Sequence, residues 1–329
     1  MEQIDKKILT LKKASEELDL SLRQVKRIRK QYLKFGTSGL ISLKRGKPSK
    51  RKISDKIRNQ VLSLVKEKYA DFGPTLGAEK LKKDDGIKIS NETLRQWLIK
   101  EGLWKAKRKK EIKVYQRRTR RSRFGELIQG DGSPHDWFEG RDEKCSLLQF
   151  VDDATGKTTA ARFFPSETTD GYLELLREHL EKYGRPLAFY VDKHSVFRVN
   201  REELQKGEGI THFGKVLKEL KIELICANSP QAKGRVERKN KLYQDRLIKE
   251  MRLIGINTAE EANKILPQLL KEIDDLFIKE PADPEDAHRE LRGEHNLKKI
   301  FLRRDKRKLS KELTFQHKGI LYLVETKTP

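Results

Sequence analysis

The sequence has 329 residues, and its 74 Lys or Arg against 50 Asp or Glu give a formal net charge of +24. With 35% hydrophobic residues it is long enough for two or three domains and too apolar to be disordered throughout. No apolar run approaches the roughly 18 residues that span a bilayer, and the first residues lack a signal-peptide pattern, so we expect a soluble, cytoplasmic protein. The two cysteines, Cys145 and Cys226, lie far apart in apolar stretches, which excludes a disulfide framework and a zinc knuckle and predicts buried free thiols.

The positive charge is concentrated in the first third of the chain. Residues 1–124 hold 37 basic and 14 acidic side chains, whereas residues 125–329 hold 37 and 36. This division is typical of a domain that neutralises nucleic-acid phosphates, followed by a nearly neutral domain with another task. A solvated charged surface is the alternative, and charge alone does not decide between them.

A first helix-turn-helix unit is predicted over residues 1–50. Ser21 and Gln24 have the spacing of a capping box, and Val25 begins an apolar stripe, so a basic second helix follows a short first helix and a turn. Such a second helix can enter a major groove of DNA. Its predicted DNA-binding residues are Arg23, Lys26, Arg27 and Lys30.

A second helix-turn-helix unit is predicted over residues 51–104, after a loop rich in Gly, Ser, Pro and Lys. Ser90 can cap a helix that stops at Gly102 and carries Arg95, a further predicted DNA contact. Helical pairs with a basic face are common, so ordinary helix packing is the alternative for both units.

A basic linker is predicted over residues 105–124. Between Lys105 and Arg123 it has eleven basic residues and one acidic residue, with almost no apolar periodicity. We expect it to be disordered or extended until it meets an anionic partner. The residues expected to contact the DNA backbone are Lys107, Arg108 and Lys109.

An α/β domain with a mixed sheet is predicted over residues 125–280. The pattern indicates three consecutive strands, a helix and a further strand, and more helices follow. The predicted strands cover residues 126–130, 146–151, 158–164 and 187–191, and the helix covers about 169–183.

Acidic residues at predicted strand ends are the candidates for catalysis. Asp131 and Asp192 each follow a strand, and Glu237 lies just inside a later helix. Clustered carboxylates can bind two divalent ions roughly 3.5 to 4 Å apart, the arrangement that phosphoryl transfer uses. The alternative is that aspartates suit turns and that Glu237 is an ordinary exposed helix residue. The rival carboxylates are Asp136, Asp152 and Asp153, of which the last two lie in a hairpin turn and are interpreted as structural.

Three blocks around these carboxylates resemble the motifs of ISNCY-type insertion-sequence transposases, members of the wider group of DDE transposases and retroviral-type integrases. The blocks are Gly130–Gly140, Tyr190–Arg198 and Ala227–Arg238. The resemblance implies a ribonuclease-H-like fold with a mixed five-stranded sheet, in which the strands bearing Asp131 and Asp192 are neighbours and Glu237 comes from a helix. The chain departs from the family in its 45-position interval between Asp192 and Glu237, and in Gly130, where a branched apolar residue is frequent.

The resemblance also implies a function. The protein would bind the terminal inverted repeats of an insertion sequence, cut their 3′ ends and join them to target DNA, as a nucleoid-associated homo-oligomer in a bacterial or archaeal cell. Asp131, Asp192 and Glu237 would be the catalytic residues and would hold two Mg²⁺ ions, for which Mn²⁺ would substitute. A DNA-binding regulator that has lost activity and a metal-dependent nuclease without strand transfer are the alternatives.

Basic residues near Glu237 are further predicted DNA contacts, because they share its helix or the loop before it. They are Lys233, Arg235, Arg238 and Lys241. Residues 281–329 are predicted to form a linker and part of a small β-barrel, with a hairpin of strands at 313–317 and 320–324.

Overall fold

The computed structural model describes residues 1–42, 45–46, 52–106, 118–191, 211–226, 234–293, 295–303, 308–317 and 319–325. The chain divides into two compact units, Met1–Lys105 and Ala106–Pro329. In the described parts of the chain, no helix is both long enough and apolar enough to cross a membrane.

The first unit begins with three helices, α1 (Glu2–Asp5), α2 (Leu11–Glu17) and α3 (Leu22–Phe35). The Ser21 hydroxyl accepts a hydrogen bond from the Gln24 backbone N–H at 3.3 Å and caps α3, as the sequence predicts. Ile4, Ala14 and Val25 form a small buried cluster that holds these helices together. A short 3-10 helix, Gly36–Leu40, follows α3.

Three more helices complete this unit: α4 (Asp55–Lys68), α5 (Pro74–Lys83) and α6 (Asn91–Lys100). The Ser90 hydroxyl accepts a hydrogen bond from the Thr93 backbone N–H at 3.1 Å, which confirms Ser90 as the cap of α6. Helices α5 and α6 cross closely, since a Cβ at Gly77 would lie 3.2 Å from the Leu94 side chain. The described residues thus include two successive helix-turn-helix pairs, α2 with α3 and α5 with α6.

The second unit contains a five-stranded sheet with helices on both faces. Its strands are β1 (Leu127–His135), β2 (Cys145–Asp152), β3 (Thr158–Phe164), β4 (Ala188–Val191) and β5 (Glu223–Cys226). The strand order is β3-β2-β1-β4-β5. β1, β2 and β3 pair antiparallel, whereas β4 lies parallel to β1 and to β5. This mixed order confirms the predicted ribonuclease-H-like sheet.

Each face of the sheet packs against its own pair of helices. On one face lie α7 (Thr169–Tyr183) and α8 (His212–Glu219), around a buried cluster centred on Phe150 and Phe189. On the other lie α9 (Gly234–Leu253) and α10 (Ala259–Asp274), around a second cluster that includes Tyr243. Every residue of β2 is buried, because this strand is covered on both faces. The predicted helix at 169–183 is confirmed.

One boundary is predicted wrongly. β1 does not end before Asp131 but continues to His135, where it still pairs with Cys145 of β2. The residues Gly130, Gly132 and Pro134 disfavour a strand in isolation. Here the backbone pairing with buried β2 outweighs that preference.

The C-terminal part contains helix α11 (Leu297–Ile300) and a hairpin of β6 (Thr314–His317) with β7 (Ile320–Leu323). Ile300 is buried in the cluster around Phe150. The predicted hairpin is confirmed, and a barrel is not seen because β6 and β7 are the only strands in the described residues after α11. Cys145 is buried as predicted, and burial raises the pKa of its thiol to about 11, whereas Cys226 is only half-buried.

Candidate active site

Asp131 lies in the middle of β1, two residues after the last described pair of β1 with β4. It pairs with Gln149 of β2 on one side. On the other side the parallel pairing with β4 ends at Gln129 and Tyr190, two residues earlier. Asp131 is therefore anchored by a buried neighbour strand on one side and is half-exposed.

The second predicted carboxylate, Asp192, lies outside the described residues. Strand β4 ends at Val191, the residue before it, and is the neighbour of β1 in the sheet. The neighbouring strands predicted to carry the two aspartates are thus confirmed.

Helix α9 runs along β1 in the same direction, and three hydrogen bonds fix its register. The backbone N–H of Val236 donates to Gln129 Oε1 at 3.4 Å. Asn240 Nδ2 donates to Asp131 Oδ2 at 2.8 Å, and Gln244 Nε2 donates to Ser133 Oγ at 3.0 Å. Four helix residues advance about 6 Å and two strand residues about 6.6 Å, so one helical turn matches every second strand residue.

Glu237 lies on α9 three residues before Asn240 and is exposed. Residues three apart on a helix share a face, so Glu237 and Asn240 are neighbours on the same side of α9. In this register Val236 is bound at the level of Gln129 and Asn240 at the level of Asp131. Glu237 lies between them on the helix and therefore between these two levels of β1.

A fully buried carboxylate, Asp153, fixes the start of this helix. Its Oδ1 accepts hydrogen bonds from Arg235 Nη1 and from Gln129 Nε2, both at 2.6 Å. The guanidinium of Arg118 also binds Oδ1, and the backbone N–H of Arg121 donates to Oδ2 at 2.9 Å. Asp153 therefore joins the end of the basic linker, β1 and the first turn of α9.

Asp152 and Asp153 have the structural role that the sequence indicates. Both are fully buried, Asp152 as the last residue of β2 and Asp153 directly after it. Asp152 accepts hydrogen bonds from the Gly125 and Thr155 backbone N–H groups, and burial raises its pKa. Neither is available as an exposed metal ligand.

The row of polar side chains between β1 and α9 fits a hard cation such as Mg²⁺. The side-chain oxygen atoms of Asp131 and Gln149 are of the kind that such a cation binds. The amide nitrogen of Gln149 donates a hydrogen bond to Asn240 Oδ1. Gln149 Oε1 is buried and has no hydrogen-bond partner among the described residues, so it can accept from a metal-bound water. Among the described residues, which do not include Asp192, no three His, Cys, Asp or Glu side chains lie close enough together to hold a metal ion.

The predicted DNA-binding residues differ in their surroundings. Those on α3 are all exposed: Arg23, Lys26, Arg27 and Lys30. On α9, Lys241 is exposed, Arg238 donates to the Gly234 carbonyl, and Arg235 binds Asp153 and the Arg118 carbonyl. Burial lowers the pKa of Arg235. Four predicted contacts lie outside the described residues: Lys107, Arg108, Lys109 and Lys233.

Two residues of the site are not singled out by the sequence analysis, Asn240 and Gln149. Asn240 had a detectable signal, since it lies three residues after Glu237 on the same predicted helix. Gln149 was detectable as the one amide inside an otherwise apolar strand.

A family model and several solved structures match parts of this chain. The family model of a homeodomain-like domain, a helix-turn-helix type, matches residues 24–98. Two solved structures are also similar, a simian T-cell lymphotropic virus intasome in complex with the PP2A regulatory subunit B56 gamma and the HTLV-2 integrase catalytic core in complex with magnesium. The first has a TM-score of 0.35 and 16% identity over 65% of this chain and 66% of that one. The second has a TM-score of 0.32 and 18% identity over 47% and 87%, and values this low carry no conclusion about this chain.

Two curated relatives are similar in sequence. "Putative transposase y4bF" of Sinorhizobium fredii is 46% identical over 308 residues, which cover 93% of this chain and 67% of the relative. The transposase for insertion sequence IS1202 of Streptococcus pneumoniae is 32% identical over 304 residues, which cover 82% and 65%. This chain thus spans about two thirds of the length of each relative. It belongs to the transposase family.

Proposed function

We propose that this protein cuts DNA at the ends of an insertion sequence and joins the freed 3′ ends to target DNA, with Asp131, Asp192 and Glu237 as its catalytic carboxylates. One observation carries the proposal: α9 lies in register along β1 through the Asn240 and Asp131 hydrogen bond, with Glu237 on the same helix face. The chain continues from neighbouring β4 directly into Asp192.

The three carboxylates would hold two Mg²⁺ ions, which when bound supply activation of the attacking oxygen and stabilisation of the leaving oxygen. Asn240 would keep Asp131 in one orientation by donating to its Oδ2. Asp153 and Gln129 would fix the first turn of α9 and with it the position of Glu237. Exposed Lys241, four residues after Glu237, would hold a DNA phosphate beside the carboxylates.

The experiment is the joining of a labelled duplex, carrying the DNA that flanks this reading frame, to a supercoiled plasmid with Mg²⁺ or Mn²⁺. The parent protein is expected to give joined product. Asp131→Asn, Asp192→Asn and Glu237→Gln are each expected to give none while they still bind the duplex. Asp136→Asn is the matched control, because Asp136 accepts only a turn hydrogen bond from Gly140 in the described part of the chain and should leave joining unchanged.

Other outcomes would reject the catalytic assignment or indicate a different activity. Joining by any of the three variants refutes the catalytic assignment. Cutting without joining identifies a metal-dependent nuclease, and specific binding without either reaction identifies a regulator.

We also propose that the exposed basic residues of α3 bind DNA phosphates and that the protein pairs two DNA ends as a homo-oligomer. Each phosphate contact adds roughly −0.9 to the slope of log affinity against log salt. Lys26→Ala should therefore reduce the slope by about 1, whereas Lys264→Ala, at an exposed pair with Glu260 on α10, should not change it. An unchanged slope for Lys26→Ala would contradict the phosphate contact.

A further inference from the structure

The exposed face of α6 carries an arrangement of polar side chains that differs from the face of α3. Leu94 and Leu98 of α6 are buried, so the residues on the opposite side of the helix point outward. Glu92 and Gln96 are exposed on this side, and Arg95 is half-exposed at its edge. By contrast, α3 has basic residues and no acidic residue from Leu22 to Phe35.

Glu92 holds both of its neighbours by hydrogen bonds. Arg95 Nε donates to Glu92 Oε2 and Arg95 Nη2 donates to Oε1, both at 2.8 Å. Gln96 Nε2 donates to the same Oε1 at 2.7 Å. The hydrogen bonds from Arg95, and then those from Gln96, lower the pKa of Glu92 to about 2, so this carboxylate is charged at every relevant pH.

This geometry suits base recognition better than phosphate binding. The pair of Glu92 and Arg95 is electrically neutral, so it adds nothing to the attraction of the DNA backbone. Two of the five N–H donors of Arg95 bind Glu92, which fixes the plane of the guanidinium while its Nη1 edge points away from the carboxylate. A guanidinium held in this way can donate two parallel hydrogen bonds to a single flat acceptor edge.

The position of these residues on the helix agrees with this role. They occupy the first two turns of the second helix in a helix-turn-helix pair, the part that reaches base edges when such a helix enters the major groove. Arginine binds O6 and N7 of guanine with two hydrogen bonds, and glutamine binds N6 and N7 of adenine in the same manner.

We propose that α6 reads DNA sequence through Arg95, which recognises guanine while Glu92 holds it in place, and through Gln96, which recognises an adjacent adenine. Helix α3 supplies phosphate contacts, and α6 supplies base selectivity. This inference rests on the proposed function, because it names the bases by which the element ends are recognised.

The test uses the full-length protein and a pool of DNA duplexes with a fully randomised segment. The parent protein should select a consensus that contains a guanine next to an adenine, and should prefer that guanine over another base by about tenfold or more. Arg95→Lys keeps the charge but loses the planar fork, so the guanine should vanish from the consensus while the salt slope stays unchanged. Gln96→Ala should relax selection at the neighbouring adenine.

Two further variants sharpen the result. Glu92→Gln should weaken the guanine preference several-fold, because Arg95 loses its fixed plane. Lys100→Ala is the matched control, an exposed basic residue at the end of the same helix, and should keep the full consensus. Thermal melting followed by circular dichroism verifies that each variant remains folded.

The outcomes separate this inference from the proposed function. If the consensus persists unchanged in Arg95→Lys, Glu92→Gln and Gln96→Ala, these residues of α6 do not select the bases. The proposed transposase function would not be affected by that result. If the parent selects no consensus at all, specific recognition of element ends fails, and the reading by α6 fails with it.

Discussion

Asn240 donates a hydrogen bond from helix α9 to Oδ2 of Asp131 on strand β1, at 2.8 Å. Asn240 also accepts a hydrogen bond from the fully buried Gln149 of β2. One amide thus links the helix that carries Glu237 to the two central strands of the sheet. Its position matters because a carboxylate that binds metal needs one fixed orientation.

Replacing Asn240 by Ala should lower joining activity by about 10- to 100-fold, the usual effect of losing a group that orients a metal ligand. The Mg²⁺ concentration that gives half-maximal joining should rise with it. Gln244→Ala is the matched control, because Gln244 forms the next hydrogen bond along the same helix, to Ser133. Equal Mg²⁺ curves for the two variants would show that Asn240 serves packing alone.

Removing the carboxylate of Asp153 should lower the free energy of unfolding more than removing the guanidinium of Arg235. Asp153→Asn leaves the guanidinium groups of Arg118 and Arg235 without their shared carboxylate, which should cost about 3 to 5 kcal/mol of unfolding free energy. Arg235→Met leaves Asp153 with its remaining donors and should cost about 1 to 3 kcal/mol. Urea unfolding measures both free energies, and a larger loss for Arg235→Met would contradict this account.

The surroundings of Gly130 leave little space for a side chain. A Cβ there would lie 3.2 Å from Cε1 of Phe150 and 3.4 Å from Cγ1 of Val191. Gly130→Val should therefore destabilise the domain by about 1 to 3 kcal/mol through overpacking. Adding Phe150→Leu should recover part of this loss in urea unfolding, and a Gly130→Val protein as stable as the parent would refute the steric argument.

His179 should make folding sensitive to acid. It is fully buried in α7, and burial, followed by the nearby His288, lowers its pKa to about 3. Between pH 6.5 and about 3 the unfolded chain binds a proton that the folded chain does not, so stability falls as the pH falls, by up to about 1.4 kcal/mol per pH unit.

His179→Phe should flatten that fall in urea midpoints measured between pH 7 and pH 4. The ring packs against Phe150 and Phe189, so an aromatic replacement keeps much of the contact. His288 contacts His179 and is itself bound to Asp286, and both of these residues remain in the variant. An identical pH dependence in the parent and the variant would exclude His179 as its source.

The elements with a strong local pattern could be predicted from the sequence. The α7 helix has the expected apolar periodicity and bounds, and the Ser21 and Ser90 caps occupy the expected positions. These features depend on neighbours in sequence, which a pattern contains. The end of β1 was predicted wrongly because its pairing with β2 is a contact between separate segments, and pairing outweighs the local effect of Gly130, Gly132 and Pro134.

The candidate site also has features that the sequence predicts locally and features that depend on distant segments. Asp131 and Glu237 could be proposed from motif blocks, because the blocks are contiguous in sequence. The hydrogen bonds that position them connect residues far apart in the sequence: Gln149 lies 91 positions from Asn240, and Asn240 lies 109 positions from Asp131. The combination of Arg118, Gln129 and Arg235 around Asp153 joins four separate segments, and no spacing rule predicts it.

One turn of α9 is about as long as two residues of β1, so the hydrogen bonds between them depend on the number of residues in each element. A single-residue deletion in β1 before Asp131 would turn its carboxylate to the opposite face of the sheet. A single-residue deletion in α9 between Val236 and Asn240 would rotate Asn240 by about 100° away from the strand. Natural length variation among relatives should therefore be absent from both elements and should collect in the connections between them.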